Sequence, residues 1–190
     1  MNKRRYPQKP KNTSEIGNAF RMFRPLTLES AETLYDRIKE VKNGGDLPTD
    51  AVLFTPTDLH LTLIEKGKMR RNLKNLSIGF NAAVQIARIH QDIDHAEQDI
   101  QVSLGHGKPM GRHNVAVGIE QSIEIGDEYA IIINALREAR VPYKETFRPH
   151  ISLFKLPSST NQERQFYARS IGVVLPEHVM LAGIDSNHDK

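Results

Sequence analysis

Apolar and polar residues alternate along several short segments of this chain, and between those segments apolar residues recur every three or four positions. Alternation places apolar side chains on one face of a strand, whereas the wider spacing places them on one face of a helix. The alternating segments predict strands at residues 19–26, 51–54, 59–63, 100–104, 115–119, 147–156 and 179–184. The wider spacing predicts helices at residues 28–41, 73–87 and 127–139, and a last helix after residue 160.

Local signals mark the ends of several predicted elements. Gly44-Gly45 stops the first helix, and Asp127 is a candidate cap for the third. Thr160-Asn161-Gln162-Glu163 has the form of a capping box, which opens the last helix. Residues 100–119 predict a β-hairpin, with strands at 100–104 and 115–119 around a glycine-rich turn that His106 and His113 flank.

The succession of strand, helix and histidine-containing strand occurs twice, which indicates an internal duplication. It predicts an α+β protein with two pseudo-symmetric lobes around a central cleft, each lobe an antiparallel sheet with helices packed outside. We expect a single bilobal domain at residues 18–186, a flexible basic arm at residues 1–17 and a polar tail at residues 187–190.

The composition restricts the class of protein. Hydrophobic residues make up 38% of the chain and charged residues 26%, and no apolar run approaches the ~20 residues of a membrane helix. No apolar stretch follows the basic N-terminus, so the N-terminal segment is not predicted to be a secretory signal. The absence of cysteine excludes disulfides, thiolate chemistry and cysteine-ligated zinc. We expect a cytoplasmic monomer that does not contact membranes.

The net charge of +3 comes from two basic clusters. Basic segments favour polyanions such as nucleic acid through counterion release. The first cluster, at residues 3–11, is more in keeping with a solvated arm than with a binding site. The second, at residues 66–74, directly follows the first histidine motif and would lie near the mouth of the cleft.

Two motifs ninety positions apart carry the candidate chemistry: His60-Leu61-Thr62-Leu63 and His150-Ile151-Ser152-Leu153. Residues two apart on a strand share a face, so each histidine points the same way as the hydroxyl residue that follows it. The apolar residues between them point into a core. If the fold joins the two strands, two imidazoles and two hydroxyls line one cleft.

Such a set suits acid–base chemistry at a phosphate. One neutral imidazole can act as a base while a protonated one acts as an acid, and hydroxyls can hold phosphate oxygens. This scheme requires no metal and no cofactor. Metal-dependent catalysis is an alternative, because Asp58 would share the strand face of His60 and could bind a metal with it. No metal-binding motif in the sequence supports this alternative. The segment from His90 to His95 reads as a solvated helix end.

The segments Asp58-Leu59-His60-Leu61-Thr62-Leu63 and Arg148-Pro149-His150-Ile151-Ser152-Leu153 resemble the 2H phosphoesterase superfamily. The closest likeness is to the bacterial 2′-5′ RNA ligase and RNA 2′,3′-cyclic phosphodiesterase group, and it extends over nearly the whole chain. The resemblance implies a bilobal fold that opens 2′,3′-cyclic phosphates without metal. It also implies that His60 and His150 are the acid–base pair and that Thr62 and Ser152 bind the phosphate.

The chain departs from that family after both motifs. A bulky apolar and glycine-rich continuation is common in the family, whereas this chain continues Ile64-Glu65-Lys66-Gly67-Lys68. Lys155 stands where the family often has an arginine, and strand parity turns it away from His150 unless a bulge intervenes. Lys155 and Arg148 are nevertheless candidate substrate contacts.

The expected function is therefore that of a metal-independent phosphodiesterase opening 2′,3′-cyclic phosphate termini of RNA or small cyclic nucleotides. Its partner would be an RNA or nucleotide substrate with a cyclic phosphate. The alternatives are a 2′-5′ RNA ligase, a relative that cleaves cyclic oligonucleotides, and a non-catalytic RNA-binding module. The two proton carriers argue against a purely binding role, because binding alone would not need them.

Overall fold

The computed structural model describes residues 22–64, 92–120, 122–138 and 148–184. Three helices, seven strands and one short 3-10 turn lie in these ranges. The helices are α1 (Leu28–Asn43), α2 (Ile123–Glu138) and α3 (Asn161–Gly172), and the 3-10 turn is Pro56–Asp58. The strands are β1 (Met22–Pro25), β2 (Val52–Leu53), β3 (His60–Ile64), β4 (Ile100–Met110), β5 (Asn114–Ile119), β6 (His150–Lys155) and β7 (His178–Leu181).

All strand pairs are antiparallel, and the order along the sheet is β1-β3-β6-β5-β4-β7, with β2 also pairing with β6. The sheet curls, so that its two end strands meet: the N–H of Thr27 donates to the oxygen of Met180 at 2.9 Å. The predicted α+β class, with antiparallel strands and packed helices, is confirmed. The two histidine strands, β3 and β6, are neighbours, second and third in this order.

Helix α3 packs closely against β4 at Gly107. A Cβ atom on Gly107 would overlap the main-chain carbonyl of Ala168, which is itself buried on α3. Gly107 pairs with Val117 of β5, a fully buried residue. The glycine therefore lets a helix backbone rest directly on the sheet, on the face turned toward the core.

Gly107→Ala is expected to lower the free energy of unfolding by at least about 1–3 kcal/mol, because the added methyl group must displace a helix backbone. Gly126→Ala is the matched control. Gly126 lies in α2 with open space around its Cβ position, so alanine there should raise stability by about 0.5–1 kcal/mol. Urea unfolding of both variants measures the difference, and equal stabilities would contradict the close α3–β4 contact.

The predicted ends of two helices are confirmed. The first helix stops at the Gly44-Gly45 pair, and Gly45 has a positive φ of 88°. The capping box of α3 forms as predicted: the Thr160 hydroxyl accepts from the N–H of Glu163 at 3.2 Å. In return, the carboxylate of Glu163 accepts from the N–H of Thr160 at 2.7 Å.

The predicted start of one helix is wrong, and one strand is longer than predicted. The residue that caps helix α2 is Ser122, five residues before the predicted cap Asp127: its hydroxyl accepts from the N–H of Ile125, and the helix begins at Ile123. The predicted hairpin forms, with its turn at residues 111–113, but β4 is longer than predicted because it continues to Met110. Among the glycines of this hairpin, only Gly111 adopts a positive φ, at 58°.

Several predicted features lie outside the described residues, namely the basic arm, the basic cluster at 66–74, the helix at 73–87 and the polar tail. None of the helices in the described ranges is long and apolar enough to cross a membrane.

A buried ion pair ties β1 to α2. The side chains of Arg24 and Glu128 are completely buried, and Nε of Arg24 lies 2.9 Å from each carboxylate oxygen of Glu128. Other guanidinium protons go to main-chain oxygens: Nη1 donates to Gln98 and Ala182, and Nη2 donates to His95. The guanidinium thus holds together a strand, a helix and two loop segments.

His95 also approaches this pair. Its Nε2 lies 3.1 Å from Oε1 of Glu128, and its side chain is only 24% exposed. The expectation of a solvated helix end is therefore wrong at His95, while Asp92 and Asp94 nearby are exposed. The apolar residues Ile93 and Ala96 explain the difference, because burying them in the core carries His95 inward.

Candidate active site

The first histidine motif lies on β3 with the predicted alternation. Leu61 and Leu63 are buried in the core, whereas His60 and Thr62 are half-buried and lie on the opposite face. Phe23 of β1 is the cross-strand partner of Thr62. The apolar residues thus anchor the strand and leave the two polar side chains on its other face.

The second motif repeats this arrangement on β6. Ile151 and Leu153 are completely buried, whereas His150 and Ser152 are half-buried. We call the face of β3 and β6 that carries the two histidines the site face.

The register between β3 and β6 brings the four polar side chains together. Leu61 pairs with Ile151, and antiparallel partners step in opposite directions. His60 therefore lies opposite Ser152, and Thr62 lies opposite His150. The two histidines are diagonal neighbours, which places them about 7–8 Å apart on the site face. This separation leaves room for one phosphate between them, so the predicted quartet is assembled by the fold.

Both imidazoles are held in the same way by main-chain oxygens two residues earlier. Nδ1 of His60 lies 2.6 Å from the oxygen of Asp58, and Nδ1 of His150 lies 2.8 Å from the oxygen of Arg148. A carbonyl oxygen only accepts, so Nδ1 is the donor in each ring. The neutral tautomer then has its lone pair on Nε2, which is the nitrogen suited to exchange protons with a substrate.

The 3-10 turn before β3 sets the position of the Asp58 carbonyl. The carboxylate of Asp58 accepts from the N–H of Thr55 at 3.2 Å and from its hydroxyl at 2.6 Å. The prediction that Asp58 shares the strand face of His60 is wrong, because this turn ends at Asp58 and the strand begins only at His60. Within the described ranges, no group of three or more histidine and carboxylate side chains could hold a metal ion.

An aromatic side chain that the sequence pattern did not single out packs beside His60. The ring centroids of Phe23 and His60 are 5.0 Å apart, with the ring planes tilted by 59°. Phe23 is 1% exposed, so its ring is a fixed wall that limits rotation of the imidazole. The signal in the sequence was only an apolar residue in a predicted strand, and its contact depends on the β1–β3 register.

The residues of β5 that pair with the second motif are small. Gly118 is the partner of His150, and Ala116 is the partner of Ser152. Neither carries atoms beyond Cβ, so nothing on β5 itself covers the second motif. Both residues are nevertheless half-buried, and the side chain of Lys108 lies over Gly118.

A shift of register changes the orientation expected for Lys155. Ala116 pairs with Ser152, but the preceding Val115 pairs with Phe154, so β6 contains one extra residue. Beyond the extra residue, the alternation of side chains between the two faces of β6 is shifted by one position. Lys155 therefore lies on the same face as Ser152, whereas strict alternation would place it on the opposite face. The ammonium of Lys155 lies 5.1 Å from the ring centroid of Phe54, beyond the end of the quartet.

Arg148 is exposed, and it lies two residues before the start of β6. Its main-chain oxygen orients His150, as described above. Its guanidinium affects Lys108 of β4: burial lowers the pKa of Lys108, and the positive charge of Arg148 lowers it further. Two cations therefore lie near the second motif, and only one of them was a sequence-based candidate.

No protein-family model matches this sequence, and no curated protein matches it. Among solved structures, the chain is similar to TT0787 of Thermus thermophilus, with a TM-score of 0.50 and 15% identity over 87% of this chain and 82% of the other. A phosphoesterase aligns at a TM-score of 0.46 with 15% identity over 74% of each chain. The similarity to TT0787 shows that the two proteins share a fold. Because their sequences are only 15% identical, it does not show that they share an activity.

Proposed function

We propose that this protein is a metal-independent phosphodiesterase that opens 2′,3′-cyclic phosphates by two-histidine acid–base catalysis. The observation that carries the proposal is the quartet on the site face, in which His60 and His150 lie diagonally and each has a hydroxyl residue opposite. The matching Nδ1 contacts give both rings the same tautomer. A site that only bound RNA would need neither the second imidazole nor this matched orientation.

The proposed reaction uses each side chain for one task. The neutral imidazole of one histidine accepts a proton from water at Nε2, and the water oxygen attacks phosphorus. The bond from phosphorus to one ribose oxygen breaks, and the imidazolium of the other histidine protonates that oxygen. The hydroxyls of Thr62 and Ser152 donate to the non-bridging oxygens and hold the group in line. The product is a phosphomonoester, which we expect to be a 2′-phosphate.

A cyclic mononucleotide supplied with EDTA tests this function. We expect hydrolysis to a phosphomonoester, followed by ³¹P NMR, with a bell-shaped dependence of kcat/KM on pH. The rate falls at low pH as the base takes up a proton, and it falls at high pH as the acid loses one. Hydrolysis that needs an added metal would contradict the mechanism. RNA binding without any turnover, weakening steeply with salt, would instead favour a binding module.

A further inference from the structure

Lys108 reaches the site face from two strands away. It pairs with Ala116 of β5, and Ala116 in turn pairs with Ser152 of β6. Directly opposed residues in a sheet point to the same face, so the three side chains share it. A one-residue shift in β4, between Leu104 and Gly107, sets this parity.

The side chain of Lys108 bends toward the second histidine. A Cβ atom on Gly118 would lie 3.3 Å from Nζ of Lys108 and 3.8 Å from its Cε. Gly118 is the cross-strand partner of His150. The ammonium therefore lies above a glycine that leaves space for it, and the backbone of that glycine is one strand spacing, ~4.8 Å, from the backbone of His150.

The charge around Lys108 is unbalanced. Lys108 is half-buried, and the nearby charge is a second cation, Arg148. In the described part of the chain, none of the ion pairs includes either residue. Burial and the repulsion between the two cations both lower the pKa of Lys108. An anion between them would relieve both effects.

Resting on the proposed function, we propose that Lys108 and Arg148 bind a second phosphate of the substrate, beside the cyclic phosphate held by the quartet. The cyclic phosphate would lie midway between β3 and β6, which is half a strand spacing from β6. Because Gly118 is on β5, one further strand away, the phosphate would lie about 1.5 strand spacings, or ~7 Å, from Gly118. A direct ammonium–oxygen contact needs about 2.7–2.9 Å. The ammonium is thus placed for the neighbouring phosphate of a nucleotide chain, and the substrate class is an oligonucleotide with a cyclic phosphate end.

Two substrates separate this subsite from the catalytic quartet. One is 2′,3′-cyclic AMP, which has one phosphate, and the other is a diadenosine dinucleotide that ends in a 2′,3′-cyclic phosphate and has two. Lys108→Met should lower kcat/KM about tenfold for the dinucleotide and less than about twofold for 2′,3′-cyclic AMP. A tenfold loss is that expected when one charged hydrogen bond is removed. Lys108→Arg should retain most of the activity, because it keeps the charge.

Lys39→Met is the control for loss of one positive charge. Lys39 is exposed on α1 and stacks on Tyr35, away from the sheet face of the histidines. We expect its kinetics on both substrates to equal those of the unmodified protein. Equal losses on the two substrates in Lys108→Met would place Lys108 at the cyclic phosphate and overturn the second subsite. No loss on either substrate would also overturn it.

Binding of the dinucleotide, measured by calorimetry, keeps this test separate from the proposed hydrolysis. If the unmodified protein hydrolyses neither substrate but binds the dinucleotide about tenfold more tightly than Lys108→Met does, the subsite holds and the hydrolytic function fails. If both proteins bind the dinucleotide equally, or neither binds it, the subsite fails. Circular dichroism of Lys108→Met confirms folding in each case.

Discussion

Replacing either His60 or His150 with alanine is expected to lower kcat/KM for a cyclic phosphate by about 10²- to 10⁴-fold, the usual contribution of one general acid or base. Each substitution removes one of the two proton carriers, while the buried neighbours Leu61 and Ile151 continue to anchor the strands. Initial rates on 2′,3′-cyclic AMP measure the loss, and one limb of the bell-shaped pH profile should flatten in each variant.

His113→Ala is the matched control, because His113 is exposed at the hairpin turn. It should leave the rate unchanged. The double variant His60→Ala with His150→Ala should lose little beyond the worse single variant, because groups that act as a unit are not additive. Activity that survives either single substitution would contradict the two-histidine mechanism.

The largest expected effect on stability comes from Arg24→Met. This change removes the guanidinium from the completely buried carboxylate of Glu128 and leaves the imidazole of His95 beside it; breaking a buried pair in this way typically costs about 3–5 kcal/mol. For a chain of this size, about 2–4 °C per kcal/mol corresponds to a fall in Tm of roughly 6–20 °C. Thermal unfolding followed by circular dichroism measures it, and a fall smaller than that of an exposed-site variant would show that the pair contributes little.

Two further variants separate the charge effect from the loss of packing. Arg112→Met removes an arginine from the exposed hairpin turn and should change Tm very little. Arg24→Met combined with Glu128→Leu removes both buried charges and should recover much of the stability, since apolar replacements of buried pairs are often tolerated. A double variant as unstable as Arg24→Met would instead assign the loss to the contacts that Arg24 makes with main-chain oxygens.

Much of the fold follows from local patterns in the sequence. Alternation around Leu61 and Ile151 identified the two histidine strands, and the capping box at Thr160 located α3 within one residue. These predictions succeed because they depend on residues within one element. The start of α2 was missed because a serine cap and an aspartate cap look alike in sequence, and only hydrogen bonding to Ser122 decides between them.

The surroundings of the candidate site were less accessible to prediction, because they depend on registers between distant strands. Lys108 joins the site face only after a one-residue shift in β4 and two successive strand pairings. Lys155 changes face because of another shift, in β6. Phe23 meets His60 through the β1–β3 register. No single segment of sequence contains such information. The His-x-Thr and His-x-Ser spacings differ in this respect, because residues two apart on one strand share a face whatever the strand pairs with.

In the proposed function, the carbonyl and the side chain of Arg148 have different tasks: the carbonyl orients His150, and the guanidinium binds the substrate. A main-chain oxygen is present whatever residue occupies the position, so evolution or design can exchange the guanidinium for another group while His150 keeps its tautomer. Under the proposed function, a substitution at position 148 would therefore change substrate preference while the proposed reaction at phosphorus is retained.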